Sequence, residues 1–540
     1  MKKTKFIRIL SASAALVSML AMTSCQASKG FQGDVDPATD TRSASIDFWT
    51  GFGADIQAYL DPILSDFQKL SGIKVTHTSK GGYDNLQKAI NLGSSTVSYP
   101  NIAIGYPDHF ASYVDSDIQV RMDYFITNDS KIPATRTGTA TDPNASGTFT
   151  ERPAINMDDF YSYYMTENEN IEFDENGKGY VLGLPFNKST EVMAYNQTFF
   201  DNAYIKGLGI SVPQTWADLK TIGPKIRSAV SPAFGKILGA DGHVYDTESK
   251  ATAAGTTLLM DLSTVSNDNF FPLGYDSLAN FFITGLRQWG ATYTEVDKTT
   301  RKGYIRFGDA TNLPITKDFL TYMKGLYDEK TIAIPASFNG TDKNYCSSYY
   351  TNFQSVLNIG SSAGLGHYST GKFTRANGMK TAVTSIPYKD TAKKYVISQG
   401  TNLCMLDKGT QAERLASWKA VKYLSQEVNG LFAAETGYYP VCKAATASKE
   451  YQDFLTKTKD DNGNDLDDNT VNKQAAAKAN SNIYDADSSG WTKFVDPGFN
   501  GSSTIRNDVG TILSEVFIDG TAIDTVITNH LTTLADYVQK

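Results

Sequence analysis

Ser45-Ile46-Asp47-Phe48-Trp49, then Ile56, Tyr59, Leu60, Ile63, Leu64, Phe67 and Leu70 closing on Gly72, then Ile73-Lys74-Val75-Thr76: this stretch decides the fold class. The first run places apolar residues on alternate positions, the pattern of a half-buried strand. The apolar residues that follow recur every three or four positions, as on one face of a helix, and Gly72 supplies a stop. Pro62 falls inside that pattern, so the helix is expected to kink there or to start near Asp61. Residues 73–76 read as a second strand, 83–92 as a second helix and 101–105 as a third strand. Strands alternating with helices at this spacing make βαβ units on a parallel sheet, an α/β fold.

Upstream, Met1-Lys2-Lys3-Thr4-Lys5 and Arg8 form a basic segment, 9–21 an apolar run, and Met22-Thr23-Ser24-Cys25 ends it with small residues before a cysteine. That order is a secretion signal, and the run is too short to span a bilayer as a permanent helix. It is similar to the bacterial lipobox, with Met22 where leucine is usual. In that motif the signal is cut before the cysteine, whose thiol and amine are acylated. The expectation is lipidation at Cys25 and a mature protein anchored outside the cytoplasm. An ordinary cleaved signal with an incidental cysteine is the alternative.

The 540 residues, 41% hydrophobic and 20% charged, suit a globular protein of two or three domains. A net charge of -8, scattered along the chain, disfavours a nucleic-acid partner, which calls for a basic stripe. Thirty tyrosines offer flat faces with polar edges, which suit sugar rings as well as ordinary cores. Cys346, Cys404 and Cys442 cannot all pair within one chain. Buried free thiols are expected, with a Cys404 to Cys442 bridge as the alternative. Residues 26–44 are polar and aperiodic and read as a tether. The segments 128–152, 239–256 and 460–489 read as polar, turn-rich insertions, and Gly177-Lys178-Gly179 as a hairpin turn.

Five stretches, in order along the chain, carry a resemblance. They are Ile46-Asp47-Phe48-Trp49 with its helix and Gly72-Ile73-Lys74-Val75; residues 184–196, from Leu184-Pro185-Phe186-Asn187 to Ala194-Tyr195-Asn196; Pro213-Gln214-Thr215-Trp216; Gly400-Thr401-Asn402-Leu403; and Thr436-Gly437-Tyr438-Tyr439-Pro440-Val441. Together they resemble the solute-binding lipoproteins of bacterial ABC importers, in the branch that takes up sugars and glycerol-3-phosphate. The resemblance implies a two-lobed periplasmic-binding-protein (type II) α/β fold with hinge strands and an inter-lobe cleft. Crossings are implied near 184–187, 354–359 and Leu406. The implied division is a signal at 1–24, a tether at 25–44, a first lobe of 45–185 plus 356–405, and a second lobe of 186–355 plus 406–540. The implied role is capture of a carbohydrate for a permease, with no catalysis and no cofactor. Alternatives are the same role for glycerol-3-phosphate or a glycerophosphodiester, or a surface sensor or adhesin. The implied partners are the small-molecule ligand, the permease subunits and, through lipid, the membrane.

Candidate ligand residues follow. Tyr83 stands where a helix begins, and helix N-termini offer free N–H groups. Ser189 lies among polar residues at the lobe crossing. Ser361 and Ser362 occupy a small-residue loop where backbone can approach an oxygen, and Gly400 would offer backbone likewise. The resemblance places Tyr438 against ligand and makes Arg506 a phosphate-binding guanidinium, with a surface salt bridge as the plain reading. Asp108 stands where glycerol-3-phosphate binders carry a glutamate, and Thr252-Ala253-Ala254-Gly255-Thr256 where they carry a pocket tryptophan. These departures leave sugar and phosphate ester both open. Asp485, Asp487, Ser489 and Asp496 have the spacing of a calcium loop, though without flanking helix patterns and with Asp for the usual Glu; a solvated acidic loop is the plain reading. No paired-carboxylate or G-x-S-x-G signature of a hydrolase is present.

Overall fold

The computed structural model describes residues 35–132, 154–338, 340, 345–369, 372–375, 378–485 and 489–538. The signal segment and Cys25 lie outside them. The opening pattern folds as it reads: strand β1 (Ser45–Thr50), an 18-residue helix (Ala54–Ser71), strand β2 (Lys74–Ser79), a helix (Tyr83–Gly93) and strand β3 (Ile102–Gly105). Pro62 sits inside the first helix, which runs through it. The proline and Ala58, the residue whose carbonyl loses its helical donor, are both exposed, so water can satisfy that group.

The remaining strands of the main sheet are β4 (Leu184–Asn196), β5 (Leu273–Tyr275), β6 (Ile332–Ala333), β7 (Leu357–Ser361), β8 (Thr381–Thr384), β9 (Tyr395–Met405) and β10 (Thr492–Phe494). They pair in the order β6-β5-β7-β4-β9-β3-β1-β2, with β8 also on β4 and β10 on β9. β1 runs parallel to β2 and β3, whereas β9 runs antiparallel to both β3 and β4.

Two cores flank this sheet, and β4 and β9 serve both. Leu184 and Phe186 of β4 belong to the first core and Val192 and Met193 to the second. Val396 and Ile397 of β9 lie in the second core, Leu403 and Met405 in the first. The crossings expected near 184–187 and Leu406 are therefore these two long strands. None occurs at 354–359, because Tyr350, Phe353, Val356 and Leu357 all stay in the second core. The core distribution also departs from the expected lobes. Buried apolar residues of 356–397 pack with the second core and most of those of 403–445 with the first, because β9 carries the chain back.

The tether ends earlier than Ala44. Val35 is buried, its carbonyl accepts from the Tyr124 hydroxyl, and Lys419 Nζ donates to Thr41 Oγ1 at 3.0 Å. The 239–256 segment is not loop alone. Ile237–Gly239 pairs antiparallel with Val244–Tyr245 and Leu258–Asp261, across a turn at Gly242 with φ +83°, and a helix (Glu248–Ala253) follows. Likewise 460–489 contains the helix Asp468–Ala479, whose buried face is Asn472, Gln474 and three alanines and so gives weak apolar periodicity. Of 128–152, residues 128–132 end a helix and form a short 3-10 turn, and 133–152 lie outside the described residues. The hairpin at 177–179 is present, with Gly177 at φ +78°. Cys346, Cys404 and Cys442 are buried and form no disulfide.

Between β4 and β9 the pairing runs Ser398 to Thr190, Gln399 to Ser189, Gly400 to Lys188 and Thr401 to Asn187, and shifts register before Asn402. Gly400 has φ +92°, and a Cβ there would lie 1.9 Å from the Asn187 carbonyl oxygen. Only glycine fits. Gly400→Ala should destabilise the fold by about 1–3 kcal/mol through backbone strain alone, more if β4 must move. A urea titration checks this, and an unchanged midpoint would show that the strands separate freely.

Candidate functional site

The cleft between the cores is floored by β4 and β9 and contains two cavities that meet at Gln399. The smaller encloses about 190 Å³ and is walled by Tyr83, Asp108 and Tyr106 from the first side and Tyr293, Asp496 and Arg506 from the second. The larger, about 850 Å³, is walled by Asp55 and Tyr438 on one side and Glu191, Asp276, Tyr345 and Ser361 on the other.

Local sequence explains these positions. Gly81 and Gly82 take φ of +71° and +140°, which turns the chain so that Tyr83 opens its helix at the cleft. The Tyr83 ring meets Tyr106 edge-on, with centroids 5.3 Å apart. Pro107 starts the helix Pro107–Asp115, a favoured first position, and Asp108 in its first turn accepts from the His109 N–H at 2.9 Å. Tyr438 follows Gly437, the left-handed stop (φ +84°) of the helix Asn429–Thr436, and its ring stacks on Phe432. Burial pushes the Tyr83, Tyr106 and Tyr438 hydroxyls upward, so all three stay neutral hydrogen-bonding groups.

Arg506, on the helix Ser502–Val509, is already engaged. Nη1 donates to Asp496 Oδ2 at 2.6 Å and Nη2 to Asn280 Oδ1. Burial would lower its pKa, but Asp496 and further neighbours outweigh this and hold it above the usual value. Asp496 is pushed up by burial, with Arg506 opposing. Asp84, Asp108 and Asp496 thus share the small cavity with one guanidinium.

The other candidates sit in or behind the floor. Ser361 lines the larger cavity, and its hydroxyl donates to Ser189 Oγ at 3.3 Å. Ser362 is fully buried and its Oγ accepts from the Thr190 N–H at 3.2 Å, so it braces β4. Gly400 is also behind the surface, where its carbonyl accepts from Lys188 Nζ at 3.1 Å. Neither Ser362 nor Gly400 lines either cavity.

The calcium-loop reading does not hold. Asp485 accepts from Lys493 Nζ at 2.5 Å and from Asn480 at 2.7 Å, while Asp496 is paired with Arg506 in the cleft. Both ends of the spacing are spent on cationic or amide partners, and Asp487 lies outside the described residues.

Several cleft residues have no motif in the sequence. Glu191 is 1% exposed within β4, and Tyr275 donates to its Oε2 at 2.8 Å while Oε1 accepts no hydrogen bond. Burial raises its pKa to about 7, with the Tyr275 hydroxyl and the nearby Asn280 amide pulling the other way. Ser398 Oγ and Gln399 Oε1, at the cavity floor, are also buried without partners. A carboxylate inside an otherwise buried strand was the one signal available for Glu191. Asp276 follows the end of β5, where open α/β sheets place ligand residues.

Among curated proteins no relative matches this chain. Solved structures resemble it over nearly its whole length. UgpB from Mycobacterium tuberculosis, in complex with glycerophosphocholine, is 13% identical with a TM-score of 0.61, over 92% of this chain and 98% of that one. The GacH receptor of Streptomyces glaucescens GLA.O, solved unliganded and with acarbose, is 13% identical with a TM-score of 0.58, over 92% and 98%. The sugar-binding MalE of Xanthomonas citri is 13% identical with a TM-score of 0.59, over 92% and 97%. These likenesses carry the two-lobed fold. The sequence model of the bacterial extracellular solute-binding proteins matches residues 63–458, both sides of the cleft included, and the chain belongs to that family.

Proposed function

We propose that the protein captures a carbohydrate in the inter-lobe cleft and passes it, unchanged, to the permease of an ABC importer. The observation that carries this is the make-up of the cleft: tyrosine walls over a floor whose Glu191, Ser398 and Gln399 present buried polar atoms without partners. An unsatisfied buried polar atom costs about 1–3 kcal/mol, and the hydroxyls of a sugar would supply the missing partners. The charge balance speaks against a phosphate ester. Arg506 is paired with Asp496, while Asp84, Asp108, Asp55, Glu191 and Asp276 add carboxylates along the same cleft. UgpB and GacH, solved with glycerophosphocholine and acarbose, show that this fold accommodates either chemistry, so the choice rests on this chain's own residues.

A thermal-shift screen tests the reading. At 100 times its dissociation constant a true ligand stabilises by about 2.7 kcal/mol. Neutral mono- and oligosaccharides should include such a ligand, and glycerol-3-phosphate and glycerophosphoglycerol should give no shift. A shift from the phosphate esters alone would reverse the assignment.

The lobes we assign are 35–186 with 403–456, and 187–402 with 476–538, the first following one core together with the helix Lys449–Thr456 packed on it and the second following the other core. Membrane attachment through a lipid on Cys25 completes the reading, since no helix of the described residues is long and apolar enough to cross a membrane. Cys25→Ala should move the protein from the membrane fraction to the soluble secreted fraction. Retention in the membrane with unchanged processing would remove the anchor.

A further inference from the structure

The smaller cavity is walled by polar atoms that the fold leaves unused. His109 Nδ1, the Tyr293 hydroxyl, Thr294 Oγ1, Ser398 Oγ and Gln399 Oε1 belong to its lining residues, are buried, and have no hydrogen-bond partner among the described residues. Buried polar groups are nearly always paired, so a set of this size around one small space points to an occupant. Three hydroxyls, an amide oxygen and an imidazole nitrogen can donate as well as accept, which matches sugar hydroxyls, each of which does both. Burial lowers the His109 pKa, so its ring is neutral and either tautomer is open to it. Tyr83, Tyr106 and Tyr293 add the flat apolar faces that a sugar ring packs on.

The two cavities end differently. Around the smaller one the two sides of the cleft touch. Asn507 Nδ2 donates to Asp84 Oδ2 at 3.4 Å, and a Cβ at Gly498 would lie 2.8 Å from the Pro107 carbonyl carbon, so those backbones are in direct contact. At the far end of the Pro107–Asp115 helix, Asp115 accepts from Asn500 Nδ2 at 2.7 Å and pairs with Arg301 at 3.1 Å. Asp84, Pro107 and Asn507 line the smaller cavity and not the larger, and Gln399 is the residue that both share. The wall of the larger cavity, by contrast, reaches the surface, for among the described residues Asp55, Tyr345 and His367 are exposed. Its 850 Å³ falls within the roughly 300–1,000 Å³ of pockets for drug-sized ligands, and 190 Å³ falls below it.

We propose that the cleft takes a linear oligosaccharide by its end: one terminal sugar ring fills the smaller cavity, and the units attached to it run out past Gln399 through the larger one. The inference rests on the carbohydrate reading above and narrows it to a chain with a free end. An interior unit carries glycosidic bonds on two sides and needs two exits. A terminal unit needs one, and it brings an extra free hydroxyl to a wall with unpaired polar atoms. A saccharide closed into a ring has no end to offer.

The test is calorimetric titration of the wild-type protein with monosaccharides, linear oligosaccharides of two to six units in α- and β-linked glucose, mannose, galactose and xylose series, and cyclic glucans. In the series that binds, the oligomers should bind at least tenfold more tightly than the monosaccharide. A bulky aryl tag on one end of the best oligomer should weaken it at least tenfold, and the same tag on the other end by less than about threefold. Ser503→Trp, which puts an indole in the wall of the smaller cavity, should weaken the whole series at least tenfold; the tagged ligands need no variant and so do not depend on its folding. Equal effects of the two tags, a monosaccharide as tight as its oligomers, or a cyclic glucan as tight as the best linear chain overturns end-on seating and leaves carbohydrate capture standing. A folded Ser503→Trp variant that binds the series unchanged overturns it too, since the smaller cavity would then hold only water. Failure of every saccharide to bind overturns both readings.

Discussion

Lys188→Met should lower the stability of the whole protein by about 3–5 kcal/mol, out of the 5–15 kcal/mol typical of a fold. Lys188 is fully buried where β4 crosses between the cores, and its ammonium is held by Glu167 and the Gly400 carbonyl. Burial lowers its pKa and Glu167 raises it again, so the pair exists because each ion supports the other. Methionine fills the space but strands the Glu167 carboxylate, which keeps only Asn402 Nδ2, at 2.6 Å. Adding Glu167→Gln should restore much of the loss, because the uncompensated charge goes with it. Urea unfolding of the wild type, the single variant and the double variant reads this directly. A single variant within 1 kcal/mol of wild type, or a double variant no better than the single, would show that the pair does not hold the crossing.

Tyr438→Ala should weaken binding of the captured saccharide by about 2–4 kcal/mol, roughly 30- to 1000-fold. The ring packs flat against Phe432, fixed by the left-handed turn at Gly437, and its hydroxyl interacts with that of Tyr83 across the floor. Truncation removes a preformed aromatic wall and frees Tyr83 as well. Tyr438→Phe keeps the wall and should lose about 0.5–1.5 kcal/mol, one hydrogen bond. Calorimetry with the best-stabilising saccharide separates the two. If alanine and phenylalanine bind equally well, the ring does not touch the ligand.

The first βαβ unit was legible because its apolar periodicity and its glycine stop agree, and even Pro62 was absorbed on an exposed face. The crossing at β4 came from the resemblance carried by residues 184–196, not from periodicity. What the sequence hid has physical causes. The helix Asp468–Ala479 packs through alanines and the amides Asn472 and Gln474, which print no strong apolar stripe, and the strands around Gly242 are only two or three residues long. The cores divide the chain differently from the expected lobes because a strand such as β9 serves two cores, and local pattern does not say which core a flanking segment joins. At the site, a helix-start signal pointed to Tyr83 and the resemblance to Asp108 and Tyr438, and all three line the cleft cavities. Glu191, Asp276 and Gln399 converge from separate strands and junctions, so their chemistry appears only once the sheet is assembled. Arg506 shows the reverse: the resemblance gave it a phosphate, and the fold gave it Asp496.

The central claim, non-catalytic capture in one cleft, is tested most directly by calorimetric titration of the wild-type protein with the saccharide that stabilises it best. Each injection should give a heat pulse that returns to baseline, and the pulses should saturate at one equivalent. Sustained power after injection, the signature of turnover, or saturation at any other stoichiometry would contradict the account.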